Sequence, residues 1–104
     1  MTLPRRAVRA TATFFADLDY QLGAERGPNG EPSAHDFQVF ELLRIVELFA
    51  TRFDALPQLI PGRPEYRVLI VAGVLVPRMS VVGQPAPDGA VELVELELDM
   101  ETGS

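Results

Sequence analysis

The stretch "PEYRVLIVAGVLVPRMSVVG", residues 64–83, decides the fold, because two apolar runs meet in it at Ala72-Gly73. Residues 66–71 and 74–82 are rich in β-branched side chains, which predicts two strands joined by a tight two-residue turn. Pro77 has no N–H to donate to a neighbouring strand, so it favours an edge strand or a bulge. Each run also carries one arginine, Arg67 in the first and Arg78 in the second, and the charge on each face of the sheet depends on which way these side chains point.

A third strand is predicted over residues 91–100, after a connector that ends in the turn pair Asp88-Gly89. Strict alternation from Val94 onward is typical of a strand with one apolar and one polar face. The apolar side chains are Val94, Leu96, Leu98 and Met100, and the acidic ones are Glu95, Glu97, Asp99 and Glu101.

The arginines of the first two strands are predicted to lie side by side. A two-residue turn at Ala72-Gly73 pairs Arg67 with Arg78 on one face, which is unfavourable unless acidic groups lie between them. Two interpretations stay open: cross-strand ion pairs on the sheet face away from the helices, worth ~0–1 kcal/mol each, or a recognition surface for a partner protein. A metal site is not predicted, because hard cations need ligands converging from several elements. The acidic candidates are Glu95, Glu97 and Asp99.

Two helices precede the strands. Residues 7–22 place apolar side chains at three- and four-residue steps and end at Gly23, a suitable C-terminal cap. Three arginines, Arg5, Arg6 and Arg9, lie at the start of this segment, and cations are unfavourable at a helix N-terminus. We therefore expect either that the helix begins nearer Thr11 or that these arginines have acidic partners elsewhere.

The second helix is predicted over residues 34–54, with Ser33 as N-cap and Asp36 completing a capping box. A helix this apolar must be covered on more than one side, by the first helix and the sheet, with some surface left for a partner. Phe40 and Phe49 are the candidate contacts for that partner. The predicted polar band contains Gln38, Glu41, Arg44, Glu47 and Thr51.

The element order predicts an α+β domain over residues 1–100, with a two-helix hairpin on one face of a three-stranded antiparallel β-meander. Residues 101–104 are predicted to be a disordered tail.

Composition narrows the function. The formal net charge of −6 argues against a nucleic-acid partner, and no apolar run reaches the ~18–20 residues that span a bilayer. The absence of cysteine and of a signal-peptide pattern favours a cytoplasmic protein without disulfides. His35 is predicted to cap or solvate its helix, and neither Ser33 nor Ser80 has an evident His/Asp relay. The sequence therefore favours a protein without catalytic activity but leaves the question open, and it predicts no cofactor.

Several segments resemble the RelE/ParE superfamily of bacterial toxins from toxin–antitoxin pairs, over roughly residues 7–99. The resemblance lies in "ATATFFADLDYQL", in "FELLRIVELFATRFDALPQLIPGRPEYRVLIV" and in the hairpin that follows. Members cleave messenger RNA on the ribosome or poison DNA gyrase, and an antitoxin silences them. The resemblance implies that Arg67 matches the arginine often found at the start of the central strands.

Three features depart from that family. The C-terminal strand reads "VELVELELDM", whose carboxylates would repel RNA. The family's usual N-terminal strand is truncated, since only "MTL" precedes Pro4, and the chain is acidic. We therefore expect a toxin-like protein that binds an antitoxin, with DNA gyrase as its candidate target. The alternatives are a non-toxic module that dimerises through the second helix or an open sheet edge, and a ribosome-dependent mRNA endonuclease.

Overall fold

A computed structural model describes residues 5–100 as an α+β domain whose helices cover one face of a mixed five-stranded sheet. The strands lie in the order β1-β5-β4-β3-β2, with β1 parallel to β5 and the other neighbours antiparallel. The elements are β1 (Val8–Ala10), α1 (Ala12–Gln21), α2 (Ala34–Phe40), α3 (Leu42–Arg52), a 3-10 turn (Phe53–Ala55), β2 (Gln58–Ile60), β3 (Arg63–Val71), β4 (Arg78–Pro85) and β5 (Val91–Asp99).

The predicted architecture of two helices on a three-stranded antiparallel meander is wrong, because the described residues form three helices and five strands. The additional strands, β1 and β2, have three residues each, too few for a period-two pattern to show. The second predicted helix is interrupted at Glu41, whose φ of −114° departs from helical geometry. The tail predicted over residues 101–104 lies outside the described residues.

Both explanations proposed for the N-terminal arginines hold. Helix α1 begins at Ala12, and the Thr11 hydroxyl accepts a hydrogen bond from the N–H of Phe14 as its N-cap. The three arginines before it pair with carboxylates from other elements, which removes their conflict with the helix N-terminus. The closest distances are 2.7 Å for Arg5–Glu47, 3.4 Å for Arg6–Asp54 and 2.8 Å for Arg9–Asp88.

The predicted start of the second helix is confirmed. The Ser33 hydroxyl accepts from the Asp36 N–H at 3.0 Å, and the Asp36 carboxylate accepts from the Ser33 N–H at 3.0 Å. This reciprocal capping box satisfies two N–H groups that a helix terminus leaves unpaired.

The core lies between the helices and the inner face of the sheet. At Gly83 the sheet and α3 approach each other closely, because a Cβ at that position would lie 2.5 Å from Cε1 of Phe49. The buried cluster includes Phe14 and Leu18 of α1, Phe37, Ile45 and Phe49 of α2 and α3, and Leu69, Met79, Val81, Leu93 and Leu96 of the sheet.

The predicted two-residue turn between the first long strands is also wrong. A loop over residues 72–77 connects β3 to β4, so Arg67 lies opposite Gly83 and Arg78 lies opposite Asp99. The two arginines therefore lie on opposite faces of the sheet. On β5, Leu96 is buried whereas Glu97 is exposed, as the alternation predicts, but a register shift leaves Val94 as a bulge.

Side chains and short segments cover parts of the edges of the two long outer strands, β5 and β3. Beyond the end of β1, helix α1 covers the edge of β5. Asp17 accepts from the Leu96 N–H, and the Gln21 side chain donates to the Leu96 carbonyl and accepts from the Leu98 N–H, at 2.7–3.0 Å. On the other side, the Val68 N–H donates to the Pro57 carbonyl, and β2 pairs with β3. Covered backbone groups cannot pair with another chain.

Candidate partner-binding surface

Arg67 faces the helix-side end of the sheet, where its guanidinium donates to three backbone carbonyls. The acceptors are the Pro64, Asp54 and Leu56 oxygens, at 2.7, 3.1 and 2.8 Å. Two of them belong to the 3-10 turn and its C-cap, where a cation offsets the partial negative charge of exposed carbonyls. Arg67 therefore holds the end of the α3 segment in place, and its donors are directed at the chain itself.

The acidic residues of β5 lie on the open face, away from the helices, together with Arg78. A shallow depression of about 250 Å³ there is lined by Ile70, Arg78, Met79, Ser80, Glu97 and Asp99. Arg78 lies opposite Asp99 in the register of β4 and β5. A cross-strand ion pair on this face joins Arg9 of β1 to Glu92, which lies opposite it, at 3.8 Å. Glu95 lies opposite Val82 and is exposed.

The two phenylalanines predicted to contact a partner lie in different environments. Phe40 is 53% exposed, whereas Phe49 is fully buried. Phe49 is at a four-residue step from Ile45 and faces the same side, against the sheet. Phe49 is therefore a core residue, and the sequence-based proposal that it contacts a partner is corrected on that ground. Phe40 remains available.

Phe40 belongs to a group of exposed large apolar side chains that we call the apolar surface. Its helical members occupy the outward side of the α2–α3 junction, and its other members lie on the 72–77 loop. The exposed fractions run from 37% to 72%. The apolar surface consists of Val39, Phe40, Leu43, Val74 and Leu75.

Glu41 joins the two halves of the apolar surface. Its side chain is fully buried, and its carboxylate accepts hydrogen bonds from the N–H groups of Val74, Leu75 and Val76 at 2.8, 3.1 and 3.1 Å. Arg44, one turn further along the helix, donates to the Ala72 carbonyl at 2.9 Å. These contacts place the loop directly beside the helix junction.

The prediction that Glu41 belongs to an exposed polar band is wrong. The signal was present in the sequence, because Phe37, Glu41, Ile45 and Phe49 follow one another at four-residue steps and are all fully buried. A carboxylate within an otherwise apolar stripe indicates a buried acceptor with a specific set of donors. Nothing in the sequence indicates that the donors are the N–H groups of residues 74–76.

The helical charges one turn away from the apolar surface are paired within the chain. Asp36 accepts from Arg26 at 2.9 Å, and this hydrogen bond, with those from Ser33, lowers the pKa of Asp36 to about 2. Arg5 likewise donates to Glu47 and lowers the pKa of that carboxyl. The surroundings therefore offer few unpaired charges, and the surface presents mainly apolar contact area.

The part of the chain that the structure describes contains no group of three or more His, Cys, Asp or Glu side chains arranged to hold a metal ion. None of its helices is long and apolar enough to cross a membrane. His35 is exposed at the start of α2, and the Ser33 hydroxyl is engaged in the capping box.

Comparisons of the chain with protein-family models, with curated proteins and with solved structures find no match.

Proposed function

We propose that this chain acts by binding a partner protein through the apolar surface, as a toxin-like protein bound by a small antitoxin. The observation that carries the proposal is the cluster of five large apolar side chains exposed at the α2–α3 junction and the adjoining loop. Contiguous exposed apolar area rimmed by polar groups is typical of a protein-interaction site. A partner that supplies apolar side chains would gain about 25 cal/mol for each Å² removed from water.

The rest of the described surface supports the choice of this site. Hydrogen bonds from α1 close the β5 edge, and the Pro57 carbonyl and β2 cover part of the β3 edge. The open face carries the carboxylates of β5, which disfavour an RNA backbone and hence the mRNA endonuclease alternative. Burial of the apolar surface by a partner would remove five large exposed apolar side chains from water.

The toxin-like assignment draws on the resemblance of the helices and hairpin to the RelE/ParE superfamily. Strand β1, which has three residues and precedes the helices, is compatible with the N-terminal strand that is usual in that family. The acidic open face is compatible with a protein target such as gyrase. The proposed partner is a small protein encoded beside this chain.

Self-association is the second candidate function, and one observation favours it. Val39 and Phe40 at the end of α2 and Leu43 at the start of α3 are exposed on either side of Glu41, so the junction offers an apolar face that could pack against the same face of a second copy. In that case the interface would be the same surface on both copies.

Expression with and without the neighbouring reading frame tests the proposal. Inducing the chain alone is expected to arrest growth, and co-expression is expected to restore growth and yield a copurifying complex. Phe40→Asp with Leu43→Asp should abolish the restoration of growth and the copurification, because two carboxylates would have to be buried at the interface with the partner. Tyr20→Asp is the matched control, since Tyr20 is 92% exposed on α1 and lies outside the surface.

Size-exclusion chromatography with light scattering separates the alternatives. A dimer that the Phe40/Leu43 variant converts to a monomer would favour self-association. A monomer that neither arrests growth nor retains a partner would contradict both functions.

A further inference from the structure

Glu41 is a fully buried carboxylate with no cation in ion-pair contact among residues 5–100. Burying a charge is costly unless hydrogen bonds satisfy it. Here three consecutive backbone N–H groups, from residues 74 to 76, converge on the two carboxylate oxygens. Successive N–H groups that point to one site form an anion-binding concavity, and bonds to an ionised acceptor are stronger than neutral ones.

The 72–77 loop is shaped to admit this carboxylate. The Gly73 N–H donates to the Val76 carbonyl at 2.8 Å and closes the turn. A Cβ on residue 73 would lie 2.0 Å from Oε2 of Glu41, so any side chain larger than hydrogen would displace the carboxylate or the loop. The Arg44 bond to the Ala72 carbonyl fixes the beginning of the loop.

We infer that Glu41 is the positioning residue of the apolar surface. Its carboxylate fixes the loop in the conformation that holds residues 74 and 75 at the α2–α3 junction, with the side chains of Val74 and Leu75 exposed. Without it, two of the five apolar side chains would no longer be held next to the helix. Preorganisation of this kind lowers the entropy that a partner must remove on binding. The consequence for binding rests on the proposed function, whereas the ordering of the loop does not.

Residue-resolved amide hydrogen exchange of the free protein tests the inference. Glu41→Gln preserves the shape of the side chain but replaces one acceptor oxygen with a donor. Exchange at Val74, Leu75 and Val76 should accelerate by about tenfold or more, because local hydrogen bonds determine local opening. The Leu96 and Leu98 amides, which α1 holds, should keep their rates, and so should every amide in the exposed-loop control Glu25→Gln.

Two outcomes would overturn the inference: unchanged exchange at residues 74–76 in Glu41→Gln, or a uniform acceleration of all amides that reports lost global stability. If Glu41→Gln does not fold, Gly73→Ala displaces the carboxylate from the loop side and should produce the same local acceleration.

A binding measurement with the copurified partner separates this inference from the proposed function. Val74→Ser with Leu75→Ser and the single change Glu41→Gln should each weaken binding. Their combination should weaken it little further, because all three changes act on the same loop. Full additivity would contradict the positioning role. A wild-type chain that binds no partner would refute the proposed function, and the exchange result would still decide the role of Glu41.

Discussion

The two connections of β4 show different ways in which a loop acquires its structure. The connection to β5 takes its shape mainly from its own residues: Gly89 has a φ of +89°, the Ala86 N–H donates to the Ala90 carbonyl, and Asp88 accepts from the Ala90 N–H. Arg9 of β1 adds an exposed ion pair to Asp88 from outside the turn. The connection to β3, over residues 72–77, is held by Glu41, which is 33 to 35 residues earlier in the chain.

This difference predicts which substitutions change the structure of only the loop that contains them and which change a loop distant in the sequence. A turn stabilised by its own residues should respond only to changes within it. A loop organised by a buried side chain should respond to changes in a distant helix. The following predictions test the contrast, from the largest expected effect to the smallest.

Replacing Glu41 with alanine should produce the largest loss. Three N–H groups, one buried and two part-buried, would lose their acceptor and a cavity would remain, which we expect to lower the free energy of unfolding by about 3 kcal/mol. Urea denaturation followed by circular dichroism measures this loss, with Glu25→Ala as the exposed control. A loss comparable to that of the control would mean that water replaces the carboxylate and that the two connections do not differ.

Alanine at the two loop glycines compares the connections directly. At Gly73 the new methyl group meets the Glu41 carboxylate and lies 2.9 Å from the Val76 carbonyl oxygen, an overlap we expect to cost about 2 kcal/mol. At Gly89 nothing lies within 4 Å, and the positive φ alone should cost about 1 kcal/mol. Chemical denaturation of both variants gives the two losses. The reverse order would show that backbone conformation, and not the approach of Glu41, governs the 72–77 loop.

Ser33→Ala should lower the free energy of unfolding by about 1 kcal/mol, because it removes the hydroxyl acceptor at the start of α2. As a locally determined feature, the cap should leave amide exchange at residues 74–76 unchanged. A change near zero in the urea midpoint would mean that the cap contributes no net stability. Faster amide exchange at residues 74–76 would mean that the α2 cap also stabilises the 72–77 loop, contrary to this prediction.

Asp36 should give the smallest effect, visible as a pH dependence. Its pKa of about 2 in the folded protein lies below the value of about 3.9 expected in the unfolded chain. Its stabilisation is therefore fully present above about pH 4 and disappears as the pH falls towards 2. The urea midpoints of the wild type and Asp36→Asn should differ at pH 6 and converge near pH 2. A constant difference would contradict this interpretation.

Features determined by neighbouring residues could be predicted from the sequence. Ser33 with Asp36, the Asp88-Gly89 turn and the alternation from Leu96 to Asp99 depend on contacts within a few residues. The two-residue turn at Ala72-Gly73 was wrongly predicted because local pattern favours a hairpin there, whereas Glu41 stabilises a longer loop. Strands β1 and β2 could not be predicted, since a three-residue strand is recognisable only by its partner.

The candidate site shows the same division. The excess of apolar residues on the helix predicts that some of them are exposed, as Phe40 is, but the pattern cannot distinguish Phe40 from the buried Phe49 without knowing where the helix is interrupted. The position of Arg67 depended on the strand register, which the length of the 72–77 loop determines.

The position of β5 has a consequence for biosynthesis. The last strand lies between β4 and β1, so residues 8–10 have no strand partner until residues 91–93 have left the ribosome. Until then the apolar side of α1 faces an unfinished sheet, and a chaperone or the nascent chain itself must shield it. A chain truncated before Val91 should therefore accumulate as an insoluble fragment even though all three helices are present.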